Sequence, residues 1–541
     1  MNKENAEESF EEFTSDGISK YWNLLNYSND IIQKNLANKY FSNLKEKCQN
    51  YLNLSIELFK KNNSIQDKLI SSILIYQYIK ENYNKLIDDK NAFNNVKGFL
   101  INDTLISFIN EPEEKLFESS ENSLIIERIC YSISILLILG CFSFWPEAVE
   151  EMLNFGKQSI KHTYLITIIF GNCYEELINI TISKSQENII KDMFTKKREE
   201  FKSFINTILI NCNKINNKLY NRTVILAKNL VFFEVNTLQI PNMIKIILEN
   251  TNKSNIDSTS KLVSKCIEYS QCKKMEDEFG GLDLSEYDKK MNKEESLSLN
   301  IIIEYIYLYI NNNNNNNDKD IIFGLGKILS EIIENYVFLL FKKDANSQKL
   351  LNLFYFFISN KSRIISQLFF ESLLVMKNFI NACYRFSNYN QNEKVEFSNY
   401  LLKICENITL NCTFKKLEKQ EILFNGNNIC ISHDKKSDNN IIKDEDILEE
   451  IDEIPINEYR NNAEDAFYNI FLIFANNFLK EGVNYFFEQV TKDIIPLLKL
   501  KTEEINDIQI LHIESIIFTI KSIVNCFETL MTDKMPLIKF T

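Results

Sequence analysis

Three histidines, twelve cysteines and 74 carboxylates are the side chains of this 541-residue chain that could do acid–base, metal or nucleophilic chemistry. His162, His433 and His512 are scattered, and only "CISH", Cys430 to His433, sets a thiol and an imidazole close together. That is half a metal site, because a structural zinc set closes with four ligands; an exposed loop histidine is the simpler account of His433. "FGLGKILS", Phe323 to Ser330, carries two glycines and a lysine without the spacing of a phosphate loop, and it lies inside a helical pattern. The cysteines form no CxxC pair and no framework spacing, as expected of reduced thiols in cytosol or nucleus. Carboxylate pairs recur so often that their spacing selects no catalytic dyad. The expectation is a protein that is not an enzyme and has no cofactor and no metal.

One acidic cluster stands apart. "DEDILEEIDEIPINEYR" gathers Asp444, Glu445, Asp446, Glu449, Glu450, Asp452 and Glu453 within a long polar stretch. It reads either as a solvated linker or as an acidic arm that attracts a basic partner through a salt-sensitive field. The formal charge of the chain is -13, from 61 basic and 74 acidic residues. Direct nucleic-acid binding is disfavoured, since phosphate contacts need clustered Lys and Arg, and "KKR", Lys196 to Arg198, reads as a helix boundary. Basic protein partners suit the balance better.

The elements that would position these groups are helices. Only 11 Gly and 6 Pro occur, about a quarter of the usual combined share of about 12%, whereas sheets and barrels need many such turns. In "KLISSILIYQYIKENYNKLI", Lys68 to Ile87, the spacing predicts a stripe of Leu69, Ile73, Tyr76, Tyr83 and Ile87 that Ser71, Ser72, Lys80, Glu81 and Lys85 avoid. Similar segments run from about Ile31 to Phe59 onward, and consecutive pairs recur every 40 to 50 residues, predicting an all-α fold: a superhelical α-solenoid of HEAT-like antiparallel helix pairs. Four stretches interrupt it: Glu249 to Ser260, Lys273 to Ser296, the asparagine run 311–317, and Asn425 to Asn462. "CFSFWPEAVEEML", Cys141 to Leu153, reads as a corner, with Trp145 packed into the bend and Pro146 opening a new helix whose positive end meets Glu147, Glu150 and Glu151. A membrane span through Ile129 to Trp145 is the competing reading; the window is short and lacks a flanking basic cluster.

The order of these features resembles the exportin/importin-β superfamily, most closely its transportin-SR branch. "FWPEAVEEML", with Trp145 and Pro146, resembles that branch's tryptophan corner. "YLITIIFGNCYEELINI" resembles its helix leading into Leu-Pro-Glu-Glu, with Tyr174 in place of proline and Glu175 and Glu176 matching. "KKREEFKSFINTIL" resembles the next helix, and "NEYRNNAEDAFYNIFLIF" resembles a pattern in which Tyr459, Arg460 and Asp465 match. In "SQLFFESLLVMKNF" an expected aromatic is replaced by Ser372 or Leu373. The chain would cover about the N-terminal half of such a receptor, as a truncated receptor or a gene fragment. The resemblance implies a single HEAT solenoid over 1–541: Ran-binding-like repeats at 1–115, with inner faces around Asn35 to Lys85 toward Ran, then central repeats at 116–424. An acidic loop at 425–462 and further repeats at 463–541 would follow. It implies Ran-GTP, basic and arginine-serine-rich cargo and Phe-Gly nucleoporins as partners, no direct nucleic acid and no membrane, and shuttling between cytoplasm and nucleus. The alternatives are a HEAT scaffold unrelated to Ran and a membrane-anchored helical protein.

Overall fold

The computed structural model describes residues 13–61, 64–117, 120–212, 217–269, 291–312, 318–382, 391–413, 454–477 and 507–530, together with Glu488 and Lys492. Among these residues every regular element is helical, and helices pack chiefly on their neighbours in sequence, so the fold is an all-α solenoid. It divides into two compact units, Met1–Thr237 and Leu238–Thr541.

The described helices of the first unit are α1 (Ser15–Tyr27), α2 (Ile31–Lys47), α3 (Tyr51–Lys61), α4 (Ile65–Glu81), α5 (Tyr83–Asp88), α6 (Lys90–Lys97), α7 (Ile106–Asn110), α8 (Glu113–Phe117), α9 (Ser120–Cys141), α10 (Ala148–Gly156), α11 (Ile160–Asn179), α12 (Lys184–Lys196), α13 (Arg198–Cys212) and α14 (Asn217–Leu230). A π-helical stretch, Gly98–Leu105, joins α6 to α7. The second unit holds α15 (Pro241–Glu249), α16 (Ile256–Glu268), α17 (Lys293–Asn312), α18 (Lys319–Asn335), α19 (Ala345–Ile358), α20 (Arg363–Gln367), α21 (Phe370–Ala382), α22 (Gln391–Asn411), α23 (Ile456–Asn477) and α24 (Asp507–Leu530).

Capping explains many of the starts. Thr14, Asp30, Ser64, Asp89, Ser159, Ser183, Asp318 and Asp344 each accept a hydrogen bond from a first-turn backbone N–H, satisfying donors that a helix N-terminus leaves free. Several corners are made by asparagine. The Asn50 side chain accepts from Asn53 Nδ2 at the start of α3, the Asn82 side chain donates to Tyr78 O at 3.1 Å where α4 ends and α5 begins, and Asn252 and Asn255 bond one another's turn ahead of α16. Asparagine side chains supply such turns without glycine or proline. The expected continuous segment Ile31 to Phe59 is therefore two helices, and the expected interruption Glu249 to Ser260 shrinks to residues 250–255. Helix α1 precedes the first segment expected from the spacing, and α17 begins inside the expected interruption Lys273 to Ser296.

The core of the first unit is α9 lying between α4 and α11, with α14 on the far side of α11. Ile129, Ile133, Leu136, Leu137 and Leu139 on α9 and Leu165, Ile169 and Phe170 on α11 are completely buried, each contributing about 1.5–3 kcal/mol. The stretch Asn122–Cys141 is long and apolar enough to cross a membrane, with a mean hydropathy of 2.0, yet 78% of it is buried against other helices. The predicted stripe on α4 is corrected. Its buried residues are Asp67, Ile70, Ser71, Ser72, Leu74, Ile75 and Ile79, while Leu69, Ile73 and Tyr76 are only half-buried. The two serines enter the core because each hydroxyl is returned to its own helix, Ser71 to Asp67 O and Ser72 to Leu69 O.

In the second unit α16 lies against α18 and α23 against α21 and α24. The buried carboxyl of Glu295 on α17 accepts from the Tyr336 hydroxyl at 2.7 Å. Beyond α18 the turn Val337–Phe341 buries Val337, Phe338, Leu340 and Phe341.

Candidate functional site

The seven acidic residues Asp444, Glu445, Asp446, Glu449, Glu450, Asp452 and Glu453 lie outside the described residues, as do the asparagine run 313–317 and "CISH". Both flanks of the acidic stretch are described, and they meet. Arg363, at the first position of α20 and only 1% exposed, donates from Nε to Asn411 O at 3.0 Å and from Nη2 to Thr413 O at 2.9 Å. Its Nη1 reaches Ile454 O at 3.4 Å. One guanidinium therefore holds the last described carbonyl before residues 414–453 and the first one after them. The geometry suits the chemistry: the final carbonyls of α22 have no intrahelical donor, and a planar fork of N–H groups satisfies several at once.

Arg460 adds a second fork at the same place. From α23 its Nε and Nη2 donate to Cys412 O at 3.0 and 2.7 Å, while Nη1 donates to Glu514 Oε1 at 2.8 Å and Nη2 also meets Glu514 Oε2. Its guanidinium stacks 4.9 Å from the Phe518 ring centroid, and it is 8% exposed. Tyr459 beside it is fully buried, its hydroxyl 2.9 Å from Ser366 Oγ. Asp465, matched with Arg460 by resemblance, stands exposed on α23 and does not join it. The Asp465 charge instead acts on Lys377, whose pKa is pulled down chiefly by burial, with Asp465 opposing.

Sequence reading missed Arg363 and Glu514. Rarity was the available signal, since only six arginines occur, at 128, 198, 222, 363, 385 and 460. Arg222 pairs with Glu127 among Tyr131 and Tyr164, and Arg128 lies 5.5 Å from the Tyr76 ring centroid. Of the described arginines, Arg198 alone is mainly exposed, beside Glu199.

The tryptophan corner forms as a packed bend, with one correction. Pro146 lies before the cap residue Glu147, and α10 starts only at Ala148, so proline shapes the turn instead of opening the helix. Trp145 is 3% exposed; its Nε1 donates to Glu151 Oε2 at 2.7 Å, and its backbone N bonds Gly140 O at 2.9 Å. Lys97 Nζ sits 3.7 Å from the indole centroid and 3.8 Å from Glu151 Oε2. Burial against the ring pulls the Lys97 pKa down, and Glu151 opposes it. A Cβ on Gly140 would fall 2.8 Å from Trp145 Cβ, so only glycine allows this approach.

Glu175 and Glu176 part company on α11. Glu175 is exposed and accepts from Asn229 Nδ2 at 3.3 Å. Glu176 is 3% exposed and accepts from the Tyr76 hydroxyl at 2.8 Å and Asn172 Nδ2 at 3.4 Å, tying α11 to α4. Burial raises its pKa above the usual carboxylate range. His162 has a local role, its Nδ1 2.7 Å from the cap hydroxyl of Ser159. In "FGLGKILS" both glycines are buried inside α18, and a Cβ on Gly324 would lie 2.2 Å from Ile256 Cγ1. They serve helix packing. Among the described residues no three His, Cys, Asp or Glu side chains gather in metal-binding geometry.

No family model and no curated protein matches the chain. Among solved structures it is similar to a chain from a structure of Kap95p binding to RanGDP, work concerned with nuclear import complex assembly. The identity is 9%, the TM-score 0.28, and the match covers 96% of this chain and 74% of that one. A likeness at that score carries no functional argument.

Proposed function

We propose that this chain is a protein-binding helical scaffold of the nuclear transport receptor kind, taking Ran-GTP and a basic, arginine-serine-rich cargo while engaging Phe-Gly nucleoporins and shuttling between cytoplasm and nucleus. It acts as a continuous HEAT array over 1–541, without catalysis, cofactor, direct nucleic-acid binding or membrane insertion. The observation that carries the reading is the double arginine clip. Arg363 and Arg460 fix the point from which residues 414–453 leave and to which they return, so an acidic arm there starts from a rigid root. A fixed root limits the space such an arm samples, which raises its effective concentration near a docked basic partner. The sequence resemblance through Trp145, Glu175, Glu176, Tyr459 and Arg460 supplies the receptor class, and coupling between Ran and cargo would be a difference of affinities between two states of the array. The burial of Asn122–Cys141 favours a core helix over a membrane anchor.

The test is retention of the full chain on immobilised Ran loaded with GTP or with GDP, and selective retention by the GTP form is expected. Equal or absent retention removes Ran and leaves a scaffold of another kind. Charge reversal at Glu449, Glu450, Asp452 and Glu453 separates the arm from the array: binding of an arginine-serine peptide should weaken and lose most of its salt dependence, and unchanged binding makes the segment a linker.

A further inference from the structure

We draw no further inference here: the strongest candidate, the apolar surface patch at the corner between α1 and α2 where Tyr27, Ile31 and Ile32 stand 65%, 74% and 77% exposed, carries nothing because nothing in the structure shows what covers it.

Discussion

At the scale of single residues, the chain uses lysine where a solvated charge suffices and arginine where a planar fork is required. Arg363 and Arg460 together satisfy carbonyls from Asn411, Cys412, Thr413 and Ile454, which a single ammonium could not reach in that geometry. Glu176 is the opposite case, a buried ionisable group that is only partly satisfied. Its Oε1 takes the Tyr76 and Asn172 donors, while Oε2 is buried without a hydrogen-bond partner. Because burial raises its pKa, the folded chain binds the proton more tightly than the unfolded one. Stability attributable to this group is then highest below the ordinary glutamate value of about 4.3, falls as pH rises toward the folded value, and stays low above it. Glu176→Gln keeps an oxygen for Tyr76 and removes the charge cost, which is about 1 kcal/mol for an unsatisfied buried acceptor. The expected outcome is a melting temperature higher by about 2–4 °C at pH 7, with the gain vanishing near pH 4. Thermal melts of both proteins between pH 4 and 8 check this; a gain that persists undiminished in acid would show that packing, and not titration, is responsible.

Elements are held apart or together by the smallest residues. Gly324 lets α18 approach α16 so closely that Ile256 occupies the place of a side chain, whereas Gly98 faces open space. Gly324→Ala should therefore destabilise by about 1–3 kcal/mol through overpacking, and Gly98→Ala should stabilise slightly through lost unfolded-state freedom. Ile256→Ala removes the Cγ1 and Cδ1 atoms that the new Cβ would strike, so it should cost less in the Gly324→Ala background than alone, a coupling that denaturant unfolding of the four-protein cycle measures; additive effects would place the strain elsewhere. The sequence reveals the all-α class and the tryptophan corner because they rest on helical spacing and on scarce Gly and Pro. It hides the corners at Asn50, Asn82 and Asn255, because asparagine is so common here that its turn-forming role does not stand out. It also misleads on α4, where Ser71 and Ser72 look solvent-facing until their hydroxyls are seen to bond their own helix. The arginine clip escapes it for a different reason: Arg363 joins carbonyls distant in sequence, and nothing in local spacing announces such a contact. The acidic cluster was plain from composition, but its rooting was not.

For the whole molecule, two compact units imply that stability is a sum over stacked neighbours more than a single all-or-none quantity. The first unit contains its own closed core. Tyr40, Leu44, Leu58, Ile70 and Leu74 cluster near its start, Ile133, Leu136 and Ile169 lie at its centre, and Phe194, Phe201 and Phe233 stack beneath α12 and α13 toward its end, with the Phe194 and Phe233 rings 4.1 Å apart. Each of these groups is drawn from residues before Thr237. A fragment of residues 1–239, cut beyond the short turn Thr237–Gln239, should therefore fold alone, with helical circular dichroism and a cooperative melt. In the full chain, calorimetry should show heat absorption broader than one two-state transition, with one component coinciding with the melt of the fragment. Glu176→Gln should shift that component alone, and Gly324→Ala should shift only the remainder. A fragment without cooperative unfolding, or a full-length transition that moves as one under either substitution, would mean that the two cores are thermodynamically a single body.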